Sequence, residues 1–85
     1  MLEALCTGLA AAGRFAEAAD AGLAAVQGEV LRESAHRALI TAYLAEGNCV
    51  EAIRQYRFFR ELLRTQLGLE PSPLMSELVA PLHVS

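Results

Sequence analysis

The sequence of 85 residues contains no tryptophan and no lysine, and only five of its residues are aromatic. So few aromatic side chains disfavour strands, whereas the 16 alanines and 14 leucines are strong helix formers. The basic residues are seven arginines against ten acidic residues, which gives a net charge of −3. Because nucleic-acid binding normally requires a basic excess, we expect no direct nucleic-acid contact by this chain alone.

Long hydrophobic runs, paired cysteines and catalytic motifs are also missing. No run of about 18 uncharged apolar residues exists, and Glu3 interrupts the first apolar stretch, so we expect neither a membrane helix nor a signal peptide. Cys6 and Cys49 belong to no CxxC motif, which disfavours a metal site and favours small buried hydrophobic residues with reduced thiols in the cytoplasm. His36 and His83 have no second ligand or catalytic partner nearby in the sequence. We therefore predict no enzymatic activity, no metal and no cofactor.

Glycine and proline divide the chain into five apolar segments. The breaks lie at Gly13, at Gly28, at Gly47-Asn48 and between Gly68 and Pro73. The segments between them have helical periodicity. The predicted helices are Leu2–Ala12, Phe15–Gln27, Leu31–Glu46, Val50–Leu67 and Pro73–Ala80.

An internal repeat with an offset of 34 residues superposes Gly13 on Gly47 and Ala18 on Ala52. This is the period of the tetratricopeptide repeat, in which each unit is a helix–turn–helix. The glycine supplies a left-handed cap between antiparallel helices, and the alanine lets them approach closely. We predict an all-α fold in a single domain of residues 1–85, with a tetratricopeptide-like stack of two antiparallel helix pairs. The units are 1–30 and 31–68, followed by a short C-terminal helix at 73–82.

The two units differ in their large residues. The first has Leu9 and Gly22 where the second has Tyr43 and Tyr56. Glycine inside a helix costs about 1 kcal/mol relative to alanine, so we expect the first unit to be looser or to pack against a further partner. We also expect Ala52 to be buried against the third helix. The predicted core face of the fourth helix comprises Cys49, Ala52, Ile53, Tyr56, Phe59, Leu63 and Leu67.

Two short motifs identify a family that this chain resembles. Residues 67–73 read Leu-Gly-Leu-Glu-Pro-Ser-Pro, and residues 13–18 carry the pattern Gly-Arg-x-x-Glu-Ala. Together with Tyr56, they resemble the bacterial transcriptional activator domain of actinobacterial antibiotic-regulatory (SARP-type) activators. The resemblance covers Leu2 to Leu82. It implies a regulatory helical domain that follows a winged-helix DNA-binding domain. By this resemblance the chain is the C-terminal part of the helical domain, and the DNA-binding domain is absent.

The resemblance implies a protein-interaction function in transcription regulation, through dimerisation or docking. The partners would be a second copy, other domains of the regulator or RNA polymerase. A general tetratricopeptide adaptor that binds a peptide in its concave groove is the alternative, and a truncated remnant without independent function is another.

Three groups of residues are candidate interaction surfaces. The first helix carries an apolar stripe, for which we expect neighbours on one side at most and a contact in self-association. Phe58 and Leu62 are either core beneath the last helix or a second docking patch. Four arginines of the fourth helix are either a solvated face paired with Glu51 and Glu61 or a contact for RNA polymerase or DNA phosphate. The apolar stripe of the first helix comprises Leu2, Leu5, Cys6 and Leu9, and the arginines of the fourth helix are Arg54, Arg57, Arg60 and Arg64.

Overall fold

The computed structural model describes residues 1–82, which form five α-helices and a final 3-10 turn, with no strand in that range. The all-helical class predicted from composition is therefore confirmed. The elements are α1 (Leu2–Ala11), α2 (Phe15–Gly28), α3 (Glu33–Glu46), α4 (Cys49–Leu67), α5 (Pro73–Val79) and a 3-10 turn at Ala80–Leu82. His83, for which the sequence predicts no ligand role, lies outside the described residues.

The same cap ends the first helix of each pair. Gly13 and Gly47 have φ angles of 77° and 82°, a left-handed conformation that glycine adopts at little cost. Beyond each glycine a backbone N–H returns to the helix, from Arg14 to the Leu9 carbonyl and from Asn48 to the Tyr43 carbonyl, both at 2.8 Å. Each helix consequently reverses into the next through the same turn, as the offset of 34 residues predicts.

The helices pack in sequential antiparallel contacts. Helix α3 is central, since it contacts α1, α2, α4 and α5. Residues at matching repeat positions are buried to the same extent in the two units. Ala18 and Ala52 are completely buried, and so are Cys6 and Ile40. The tetratricopeptide-like stack and the predicted burial of Ala52 are confirmed.

The core of the second unit is built around aromatic side chains of α4. Phe59 is completely buried, and Met75 of α5 packs against the same cluster. Of the predicted core face of α4, Cys49 and Leu67 are exposed, so this part of the prediction is wrong. For Leu67 the reason is length, because α4 has 19 residues against 14 in α3 and its C-terminal end extends past that neighbour, whereas Cys49 lies at the turn that follows α3.

The core of the first unit depends on a glycine at a close approach between helices. Gly22 is buried, and a Cβ atom there would lie 2.9 Å from Cδ1 of Leu39 and 3.1 Å from Sγ of Cys6. Real Cβ contacts are almost never so short, so the glycine forms the notch that Leu39 occupies. At Gly22, therefore, the packing partner lies within the chain, because Leu39 and Cys6 take the space that a side chain would fill.

Candidate protein-interaction surfaces

The outer face of α1 is only partly apolar surface. Leu2 and Leu5 are 41% and 50% exposed, as expected for a stripe with neighbours on one side. Leu9 is half-buried and packs against the core of the first unit. Cys6 contradicts the expectation, because it is completely buried and its thiol lies 3.4 Å from the Ala38 carbonyl. Burial also raises the pKa of the Cys6 thiol. The exposed part of the stripe is therefore Leu2 and Leu5.

Repeat register shows what Leu5 lacks. Leu5 of α1 matches Leu39 of α3, which is completely buried in a cluster with Val26 of α2 and Ala35 of its own helix. Within the described residues, no helix lies over Leu5 in the way that α2 lies over Leu39. On α1 the face that carries Leu5 is therefore open, whereas α2 covers the equivalent face of α3.

Phe58 of α4 is also exposed, at 52%. Helix α5 does not cover it, because Met75 and Val79 pack on the neighbouring face of α4 with Phe59. Of the two interpretations of Phe58, core beneath the last helix is therefore wrong, and a docking patch stays a prediction. Leu62, one turn further along α4, is half-buried.

A histidine buried among polar partners connects α4 to the turn between α2 and α3. His36 is completely buried, and its Nε2 lies 2.7 Å from the Val30 carbonyl. A carbonyl only accepts, so Nε2 carries the hydrogen and Nδ1 accepts from the Gln55 amide at 2.9 Å. The imidazole ring also lies 4.4 Å from the ring of Phe59. Burial lowers the pKa of His36, although its bond to Val30 and the charge of Glu33 partly oppose this. The histidine has a structural role here, since both ring nitrogens are used.

The arginines of α4 are mostly engaged within the molecule. Arg54 bridges to Glu51 at 3.0 Å, and Arg64 bridges to Glu70 at 3.3 Å. The guanidinium of Arg60 lies over a tyrosine ring, 5.4 Å from its centroid. These contacts favour a solvated face over a surface that is free to bind phosphate.

Arg57 is the exception among these arginines. The predicted pairing with Glu61, one turn away, does not form, and Arg57 makes no ion pair with any described residue. Arg57 is exposed, directly before Phe58 in the chain. Arg57 is therefore an exposed cation of α4 that makes no ion pair with a described residue.

A polar clamp holds the C-terminal helix onto α3. The carboxylate of Glu33 accepts hydrogen bonds from the backbone N–H of Ser72, at 2.9 Å, and from its hydroxyl group. The Ser72 hydroxyl oxygen in turn accepts from the Met75 N–H and caps α5. Arg37 lies 3.4 Å from the same carboxylate. The sequence motif at 67–73 consequently serves to anchor α5.

A groove of about 620 Å³ runs between α1 and α3. Its walls are mostly small or hydroxyl-bearing, with one acid and one base. They comprise Glu3, Ala4, Thr7, Gly8, Ser34, Arg37, Ala38 and Thr41. In residues 1–82, no three His, Cys, Asp or Glu side chains converge in a way that could hold a metal ion.

Comparison with known families gives a match over nearly the whole chain. The family model described as the bacterial transcriptional activator domain matches residues 1–82. The chain belongs to this family. The resemblance noted in the motifs at 13–18 and 67–73 is thereby confirmed. Bacterial transcriptional activator domains are regulatory rather than catalytic. No curated protein and no solved structure matches the chain.

No helix in residues 1–82 combines the length and the hydropathy that a membrane span needs.

Proposed function

We propose that this bacterial transcriptional activator domain is a protein-interaction domain that acts in the cytoplasm through the outer face of α1. This face would bind a helix of a second copy or of another domain of the same regulator. The observation that carries the proposal is the contrast at one repeat position: Leu39 is completely buried, whereas Leu5 is 50% exposed. Since α2 covers Leu39 on α3, Leu5 at the equivalent position of α1 is suited to contact a helix in the same way.

The expected interaction is weak. Each Å² of apolar surface removed from water contributes about 25 cal/mol, and Leu2 and Leu5 offer only part of their surface. Stable interfaces bury roughly 800 Å² per partner, which is more than this stripe supplies. A weak, concentration-dependent association therefore suits a regulatory contact.

DNA recognition is assigned to another domain in this proposal. The chain has a net charge of −3, and most of its α4 arginines are engaged internally. We expect no sequence-selective, salt-dependent binding of duplex DNA by this chain in a gel-shift assay at near-physiological salt. Such binding would contradict the assignment of DNA recognition to another domain.

Sedimentation equilibrium tests the α1 face. The variants are Leu5→Glu and, as a control, Leu74→Glu, since Leu74 is 60% exposed on α5. Wild type and Leu74→Glu should associate with rising concentration, and Leu5→Glu should associate more weakly. A wild type that stays strictly monomeric at high micromolar concentration would contradict self-association through α1.

The groove between α1 and α3 supports a second candidate, a tetratricopeptide-type adaptor that binds a peptide. Thr41 is exposed on its α3 wall, so Thr41→Arg would obstruct the groove and leave Leu5 untouched. Peptides selected for binding to the wild type distinguish the candidates. Loss of binding to Thr41→Arg with retention by Leu5→Glu would favour the adaptor.

A further inference from the structure

The two helix pairs carry opposite charge. Residues 1–30 contain one arginine against four acidic residues, whereas residues 31–68 contain six arginines against four acidic residues. Much of this charge is engaged internally, but exposed charged residues without an ion pair among the described residues remain on both helices. They are Asp20 on α2 and Arg57 and Glu61 on α4.

Side chains on α2 and α4 are also complementary in size. The outer stripe of α2 is Ala16, Asp20 and Ala24, and that of α4 is Val50, Arg54 and Phe58. On α4, Val50 and Phe58 are large, apolar and 61% and 52% exposed. An offset of 34 residues places Ala16 and Ala24 of α2 at the same positions. Each protruding side chain on one helix therefore has a small residue as its repeat equivalent on the other.

Between these two positions lies a matched pair of opposite charge. Asp20 of α2 is the repeat equivalent of Arg54 of α4. The Arg54 side chain is 73% exposed and reaches Glu51 only across the surface of its own helix. It can therefore turn toward an acceptor on another molecule at little cost.

Repeat symmetry converts this equivalence into a geometry for two copies. Stacked repeats place equivalent positions on the same side of the molecule, so the two stripes share one outer face. A two-fold axis parallel to the helices brings α2 of each copy opposite α4 of the other, at matching register. Every contact then forms twice, as in any isologous dimer.

We infer that the outer face of α2 and α4 is a self-complementary interface between two copies of this chain. Asp20 of each copy pairs with Arg54 of the other, and Phe58 packs over Ala24. The turn between α2 and α3 extends the apolar part of this face, because Val30 is 41% exposed and bonded to His36, whose ring lies 6.2 Å from that of Phe58. This surface is separate from the α1 face and does not depend on its role.

Charge reversal in a background without α1 association tests the interface. All variants carry Leu5→Glu, so that any remaining association belongs to another surface. Asp20→Arg and Arg54→Asp are each added alone, since either change places like charges together twice in a homodimer. Circular dichroism verifies that each variant is folded before sedimentation equilibrium.

We expect the background protein to dimerise, and each single reversal to raise the dissociation constant at least about tenfold. Mixing the two reversed proteins in equal amounts should restore association, because both contacts are again between opposite charges. The protein with both reversals should also associate like the background, and Leu74→Glu should have no effect.

Three results would overturn the inference. One is a background protein that remains monomeric at millimolar concentration. Another is single reversals that associate as the background does. The third is a mixture that associates no better than its components. The second and third results leave the α1 face untested, and a monomeric background protein beside an associating wild type would support the α1 face alone.

Discussion

Helices α1 and α3 occupy equivalent places in the two repeat units, but their surroundings differ. Cys6 and Ile40 are matching residues, and both are completely buried. Leu5 and Leu39 also match, yet only Leu39 is covered, because α2 packs over it, whereas α2 and α3 both contact α1 on the side away from Leu5. The comparison teaches that the pattern of a helix determines which face can be buried, and its neighbours determine whether that face is buried.

The second helices of the two units fill space in opposite ways. Helix α2 approaches Leu39 so closely that Gly22 leaves no room for a Cβ atom. At the equivalent position α4 has Tyr56, which shares a cluster with Phe59 and with Met75 of the short helix α5. A leucine fits into a notch in one unit, and aromatic rings fill the gap beside a small helix in the other.

Removing the largest core side chain of the second unit has the largest expected effect. Phe59 is completely buried, and its repeat equivalent in the first unit is Ala25. Phe59→Ala should lower the free energy of unfolding by about 3–5 kcal/mol, since it leaves a cavity. Urea unfolding followed by circular dichroism measures this. A loss below about 1 kcal/mol would mean that α5 does not depend on this ring.

The notch in α2 gives the next effect. Gly22→Ala should lower the free energy of unfolding by about 1–3 kcal/mol, because the new methyl group meets Leu39 and Cys6. Gly8→Ala is the matched control, since nothing lies within 4 Å of its Cβ position. That substitution should be neutral or stabilise by up to about 1 kcal/mol. Equal responses of the two variants to urea would remove the close approach from the account.

Titration of His36 should have a smaller effect. Its pKa is lowered by burial, so the unfolded chain binds a proton more readily than the folded chain. Stability from this residue is complete above the unfolded pKa of about 6.5 and declines as the pH falls toward the lower folded pKa. A proton on Nδ1 would also face the donating Gln55 amide. In urea unfolding between pH 7.5 and 5.5, His36→Gln should depend less on pH than the wild type; equal slopes would contradict this.

Helix limits were largely predictable from the sequence. Predicted and observed ends agree within two residues, because glycine caps and proline breaks act locally. The largest difference is at α3, which begins at Glu33 rather than Leu31. The chain forms a turn there, in which the N–H of Arg32 bonds to the Glu29 carbonyl at 3.0 Å.

Features that depend on the distance between helices could not be predicted. The role of Gly22 requires the position of Leu39, and the burial of His36 requires Val30 and Gln55 to meet across two elements. The clamp of Glu33 on Ser72 joins residues 39 apart in sequence. For the candidate surfaces, the sequence identified Leu2 and Leu5 as an apolar stripe. It could not show that Leu9 and Cys6 pack inward or that α5 leaves Phe58 exposed.

Leu5 provides the most direct test of the central claim that the outer face of α1 is a docking surface. In dilute protein, Leu5→Ala should cost less than about 1 kcal/mol, against about 2–5 kcal/mol for Leu39→Ala. Association stabilises the folded state by mass action, so the wild-type urea midpoint should rise with protein concentration. The account predicts that Leu5→Ala reduces this rise. A rise that is the same in both proteins, or absent from the wild type, would contradict the account.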